Sequence, residues 1–197
     1  MRTFILLARK ARTDSNFSID DLPSSGGRMD VVARCLSSSL FTSHAMRKDV
    51  VFYAVLNGPP RPPVTLQFSS GELQGVSPDE RSIGGQLRAA LGGTAGKAWT
   101  CLRPGICMAG RSLQEIIKEL ADAGKPIYVL HEDGKPIEEV TLESDPVFVI
   151  GDQVGIPDKD EKFVLRYAKE KVSLGATPYL ASSVISVLNW AADRRGL

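Results

Sequence analysis

The sequence predicts an α/β protein with a mostly parallel sheet covered by helices on both faces. Two observations carry that expectation. Apolar runs of strand length alternate along the chain with helical patterns of roughly 10 to 15 residues. Runs such as Phe4-Ile5-Leu6-Leu7-Ala8 and Val147-Phe148-Val149-Ile150 are apolar throughout, as strands buried on both faces are. The composition agrees, since 43% apolar and 24% charged residues in 197 describe an ordinary globular chain. That length fits one domain, 1–197, with no internal repeat or low-complexity tract to divide it.

The elements follow in order. Phe4–Ala8 is a buried strand, and a polar stretch leads from it to Gly26-Gly27. From Met29 the residues Val31, Val32, Cys35, Leu36 and Leu40 recur at helical spacing. Asp49–Leu56 is a second strand, turned by the proline-rich 57–63 into Val64–Phe68, its hairpin partner. Ser77-Pro78-Asp79-Glu80 reads as a helix start with Ser77 as cap, and the helix runs to Gly92-Gly93. Ile106–Met108 is a short strand. Ser112–Ala123 is an amphipathic helix stopped by Gly124 and Pro126. Ile127–Leu130 and Val147–Ile150 are strands, Asp158–Lys169 is helical, Val172–Leu174 is a brief strand, and Ala181–Arg195 is the last helix.

Several function classes drop out. Three cysteines are an odd count and predict buried thiols rather than a disulfide scaffold. No CxxC occurs and the two histidines lie far apart, so no metal site is expected. No apolar run reaches the roughly 18 to 20 residues of a membrane span. The opening Met1–Asp14 reads as a strand rather than a signal peptide, and the expected location is cytoplasmic. There is no GxGxxG after a strand, no P-loop, no GxSxG and no HExxH.

Two groups of residues remain. Parallel sheets place ligands beyond the carboxyl ends of their strands. Three such ends stand out: Leu130–Gly134, Ile150–Gly155 and Leu174–Leu180. Gly151 and Gly155 let backbone approach a ligand closely, or simply make tight turns. His131 is either a base or a turn residue. The second group is basic. Net charge is +1 overall, but residues 1–100 carry +4 and residues 101–197 carry −3. Arg28, Arg34, Arg47 and Lys48 surround the first helix, where guanidinium forks suit phosphate, or else form a solvated face. At about 100° per residue, Arg28 and Arg34 would leave a helix roughly 120° apart. Asp79 beside Arg81 is either a proton acceptor or a helix cap.

Four stretches go further: GGRMDVVARCLSSSLFTSHAMRKDVVFYAVLNGPP, ELQGVSPDERSI, FVIGDQVGI and KVSLGATPYLASSVISVLN. They closely resemble the archaeal tRNA pseudouridine-54 N1-methyltransferases of the SPOUT class, over nearly the whole chain. The resemblance implies an α/β-knot fold with a deep C-terminal trefoil knot. It implies S-adenosyl-L-methionine as cofactor, held at Leu130, Gly151, Asp152, Gly155, Leu174, Tyr179 and Leu180. It implies methyl transfer to N1 of pseudouridine in tRNA, with Asp79 and Arg34 as catalytic candidates. Arg28, Arg34, Arg47, Lys48 and Arg81 would bind substrate. It also implies a homodimer through the final helix, where Val184, Ile185, Val187, Leu188 and Ala191 supply an apolar face. Some relatives carry a cysteine before that helix, where this chain reads Ala181-Ser182-Ser183-Val184, so a cysteine-dependent mechanism is not expected. Methylation of another uridine-like or rRNA base, and a non-catalytic RNA-binding or assembly role, remain the alternatives.

Overall fold

Alternation along the first strand sets the architecture. In the computed structural model, which describes residues 1–197, β1 (Arg2–Ala8) is buried at every position. Phe4, Leu6 and Ala8 join a core of 37 buried residues, and Ile5 and Leu7 join another of 12. Successive side chains of a strand point to opposite faces, so a central strand with both faces covered must be apolar throughout.

β2 (Val50–Leu56) and β7 (Val147–Gly151) flank β1 in parallel, with Phe52 and Phe148 opposite Phe4. β6 (Ile127–Pro136) and β8 (Ala168–Ser173) continue the parallel part. β3 (Val64–Ser69), β5 (Ile106–Ala109) and β4 (Thr100–Arg103) complete the order β4-β5-β3-β2-β1-β7-β6-β8. Every pairing from β2 outward to β4 is antiparallel. The sheet is thus mixed, which corrects the mostly parallel expectation. The 50s hairpin was readable; β4 was not, because all four of its residues are exposed and carry no apolar pattern.

Helices cover both faces. α1 (Met29–Leu40), α2 (Glu80–Ala90) and α5 (Ala181–Asp193) pack on the larger core through residues such as Leu36, Ile83 and Leu188. α3 (Leu113–Asp122) and α4 (Asp158–Val164) cover the smaller one through Ile117 and Val164. Three boundaries move. β6, expected to end at Leu130, runs on to Pro136, so the expected strand-end segment Leu130–Gly134 is itself strand. The cap of α2 is Asp79, not Ser77, and its carboxylate accepts from the Ser82 N–H at 2.8 Å. α4 stops at Val164, and Ala168–Ser173, expected partly as helix, is strand because it pairs with β6.

Two features of the C-terminal half are tertiary in origin. Leu130 and Lys135 both pair with Val172, so the register of β6 against β8 shifts and the residues between them bulge from the ladder. Gly134 lies in that bulge, and a Cβ there would lie 2.4 Å from the Val172 carbonyl carbon. The buried Arg2 donates to Asn189, Asp193 and the Leu197 carbonyl, tying the first strand to the last helix. The thiol expectation is corrected as well. Cys101 and Cys107 stand directly opposite in the β4–β5 ladder and form a disulfide, whereas Cys35 is a buried free thiol. Only the hairpin, not a count of cysteines, brings that pair together.

Candidate functional site

The parallel strands β7, β6 and β8 lie side by side, and the middle of β6 with the segments after β7 and β8 encloses a cleft of about 650 Å³. The Leu130–Glu132 segment, the Ile150–Ile156 loop and the Leu174–Ser182 loop form most of its wall. Leu130, Gly151, Asp152, Gly155, Leu174, Tyr179 and Leu180 all line it. The volume lies within the roughly 300–1,000 Å³ of small-molecule sites.

Each loop has a local cause. After β7 the chain turns at Asp152, whose carbonyl accepts from the Gly155 N–H at 2.9 Å. The buried Asp152 carboxylate accepts from the Val154 N–H at 2.9 Å and from the Arg9 N–H at 2.7 Å. It therefore shapes the loop and fastens it to the end of β1. Gly151 serves the same turn: a Cβ there would sit 2.6 Å from the Gly155 carbonyl carbon. Its glycine answers to the loop's own backbone, the tight-turn alternative of the two readings. Gly155 adopts φ +78 with open space around its Cα, the left-handed turn that favours glycine. After β8, Ser173 Oγ accepts from the Gly175 N–H at 3.0 Å and starts the third loop.

Arg28 and Arg34 form the opposite wall. Arg28 is the residue before α1 and takes a left-handed conformation, φ 71 and ψ 33. It is not on the helix, so the 120° divergence does not apply. Both arginines converge on Asp30, which is 3% exposed. Arg28 donates through Nε at 3.0 Å and Nη2 at 3.1 Å, and Arg34 through Nη2 at 2.6 Å. Arg34 also lies 3.5 Å from Glu80. Burial alone would raise the Asp30 carboxyl; the two guanidinium hydrogen bonds outweigh it and hold it below its ordinary value. Asp30 escaped the sequence reading, although Arg28-Met29-Asp30 followed four residues later by Arg34 was a usable signal.

The other predicted residues are elsewhere. Arg47 pairs with Asp193 at 2.6 Å, Arg81 pairs with Asp20, and Lys48 is exposed, all outside the cleft lining. Asp79 also lies outside it, occupied as the α2 cap. His131 does reach the cleft, and its Nδ1 accepts from the Asp133 N–H at 3.1 Å. Beside it, Glu132 lines the cleft as an exposed carboxylate. In α5, Ile185, Leu188 and Ala191 are fully buried in the chain's own core. Its outward apolar residues are instead Trp190, 54% exposed, with Tyr179 and Leu180 just before the helix at 53% and 66%.

Comparison with known proteins places this geometry. A family model described as "Putative SAM-dependent RNA methyltransferase" matches residues 1–197. A tRNA (pseudouridine(54)-N(1))-methyltransferase of Methanococcus maripaludis strain C7 is 42% identical over 196 residues, 98% of this chain and 99% of that protein. The Methanocaldococcus jannaschii protein of the same name is 39% identical over 201 residues, 99% of this chain and 98% of its own. Among solved structures, Archaeoglobus fulgidus Nep1 bound to S-adenosylhomocysteine shares the fold with a TM-score of 0.68 at 15% identity, covering 100% of this chain and 99% of that one. End-to-end similarity at these identities, on a sheet with this strand-end cleft, means that the chain belongs to the tRNA (pseudouridine(54)-N(1))-methyltransferase family.

Proposed function

We infer that this protein is an enzyme that transfers a methyl group from S-adenosyl-L-methionine to N1 of pseudouridine at position 54 of tRNA. The observation that carries the reading is the single cleft that joins the three strand-end loops to the Asp30-held arginines, on a chain of this family. The loops fit the cofactor. They offer apolar side chains from Leu130, Leu174 and Leu180 and main-chain donors and acceptors for a base and an amino-acid group. When bound, the cofactor supplies a sulfonium-linked methyl open to attack by a nitrogen.

The chain's own residues would do the rest. Arg28 and Arg34 would orient the target nucleotide and stabilise the negative charge that the base acquires as N1–H loses its proton. Asp30 would keep the two guanidinium groups aimed while taking no proton itself, since both its oxygens are engaged. In place of Asp79, we assign the proton to Glu132, the cleft carboxylate with no hydrogen-bond partner. Alignment of methyl and nitrogen would supply much of the remaining acceleration.

Two further readings accompany the reaction. The C-terminal segment is a trefoil knot, supported by Leu130 and Lys135 pairing with the same β8 residue and by the tight passage at Gly134. The protein is a homodimer through the α5 region, supported by the exposed Tyr179, Leu180 and Trp190. Light scattering at micromolar concentration should give about twice the 21.3 kDa chain mass; a monomer would remove the dimer.

Nucleoside mass spectrometry after incubation with pseudouridine-containing tRNA and the cofactor tests the activity. N1-methylpseudouridine should appear at position 54. Retained tRNA binding without that product would favour a non-catalytic RNA-binding role, and a product at another base would move the target.

A further inference from the structure

The cations that sequence reading assigned to RNA and that miss the cleft are partly spent: Arg47 is held by Asp193 and Arg81 by Asp20. A different set borders the cleft. Beyond the carboxyl end of β1 the chain runs through Arg9 and Lys10, and beyond β2 it turns through residues 57–61. These two segments are bound to each other. The Gly58 N–H donates to the Ala11 carbonyl at 2.9 Å, the Thr13 N–H to the Pro59 carbonyl at 2.9 Å, and the Arg61 N–H to Thr13 Oγ1 at 2.8 Å. On the other side they are bound to the cleft. The Arg9 N–H donates to Asp152, and the Arg12 N–H donates at 3.1 Å to the carbonyl of Gly26, two residues before Arg28. Arg9, Lys10 and Arg61 are exposed, and none has a carboxylate within ion-pair distance. The nearby Asp14 does not neutralise them, because Arg12 takes both its oxygens, at 2.7 and 2.9 Å.

We propose that Arg9, Lys10 and Arg61 form a phosphate-binding ridge on which the tRNA backbone lies as its target base enters the cleft. The inference rests on the methyltransferase reading and extends it to a surface outside the cleft lining. The ridge is held by main-chain hydrogen bonds to the ends of two central strands, so its cations are positioned without being consumed by internal pairs. A polyanion neutralised there continues onto Arg28 across the Gly26–Arg28 turn. The site needs no base-specific group, since phosphate contacts fix position and register rather than sequence.

The test compares two triple variants of equal charge change. One is Arg9→Ala, Lys10→Ala and Arg61→Ala. The control is Lys118→Ala, Lys159→Ala and Lys162→Ala, three exposed cations on α3 and α4. Affinity for pseudouridine-containing tRNA is measured across a salt series, with cofactor affinity by calorimetry and product by mass spectrometry. The ridge variant should bind tRNA at least about tenfold more weakly near physiological salt. Its slope of log affinity against log salt should fall by about 2 to 3, because each neutralised phosphate contributes about 0.9. Its cofactor affinity should stay within about twofold of the unmodified protein. Equal losses in the two variants would reduce the ridge to a net-charge effect, and an unchanged affinity in the ridge variant would overturn it outright. If the unmodified protein forms no product but the ridge variant still loses tRNA affinity, the methyltransferase reading falls and the ridge stands.

Discussion

Along one wall of the cleft, the Leu130–Glu132 part of β6 and the loops after β7 and β8 present main-chain groups and apolar side chains, with Asp152 turned inward to hold its own loop. Along the other, Arg28 and Arg34 present charge, held by a buried carboxylate. The first wall is built from backbone and recognises by shape and hydrogen bonding, which suits a small cofactor. The second is built from long side chains whose direction depends on one acidic residue, which suits an anionic substrate. If the division is real, damage to one wall should leave the other's ligand largely unaffected.

The strongest test is chemical. Glu132→Gln should lower single-turnover methylation about 10²-fold, the usual size of a general-base contribution, with both binding affinities nearly unchanged. A variant as fast as the parent would return the proton to solvent. Next, Gly151→Val should press into the Gly155 backbone. Overpacking costs about 1–3 kcal/mol, so cofactor affinity should fall about tenfold or more while tRNA affinity changes little. A parallel loss of both would show that the walls are mechanically coupled.

Asp30→Asn probes the charged wall. It removes a charge-assisted interaction worth about 1–3 kcal/mol, reduced by the partial exposure of both arginines. Methylation should drop about tenfold, with cofactor affinity within twofold. The same variant carries a pH signature. The folded Asp30 carboxyl titrates below its ordinary value, so its stabilisation is present above about pH 4 and is lost as pH falls through the lowered value. The gap in unfolding free energy between parent and Asp30→Asn should therefore narrow in acid. A gap independent of pH would mean that packing, not charge, makes Asp30 matter.

The smallest effect belongs to the thiol beneath the arginine wall. Burial pushes the Cys35 thiol up to about 12, so it should resist alkylation near pH 8 in the folded protein. Cys101 and Cys107 should become reactive only after reduction. Rapid labelling of Cys35 without unfolding would reveal that α1 opens away from the sheet.

Much of this was legible because local pattern and topology agree. The unbroken FILLA and VFVI runs could only be central strands, and a strand end in a parallel sheet is a ligand position wherever the strand goes. The seven loop residues therefore gathered as expected. Of the basic residues only Arg28 and Arg34 did, because an arginine two residues from one carboxylate and distant in sequence from another goes to whichever the fold brings near. Arg47 found Asp193 across 146 positions, and Arg81 found Asp20. Asp79 was consumed by the helix it begins.

The sequence by itself determined the central strands, most of the helices, the cleft segments and the family, since these depend on periodicity, turn chemistry and long matching stretches. Tertiary structure alone decided which cations remain available, that Arg28 and Arg34 meet on Asp30, and that Cys101 faces Cys107. It also decided that β6 bulges against β8 and that Arg2 secures the last helix. Each of these is a contact between side chains or edges whose partners are chosen by chain crossing in space. Short-range propensity carries no information about such partners until the sheet order is set.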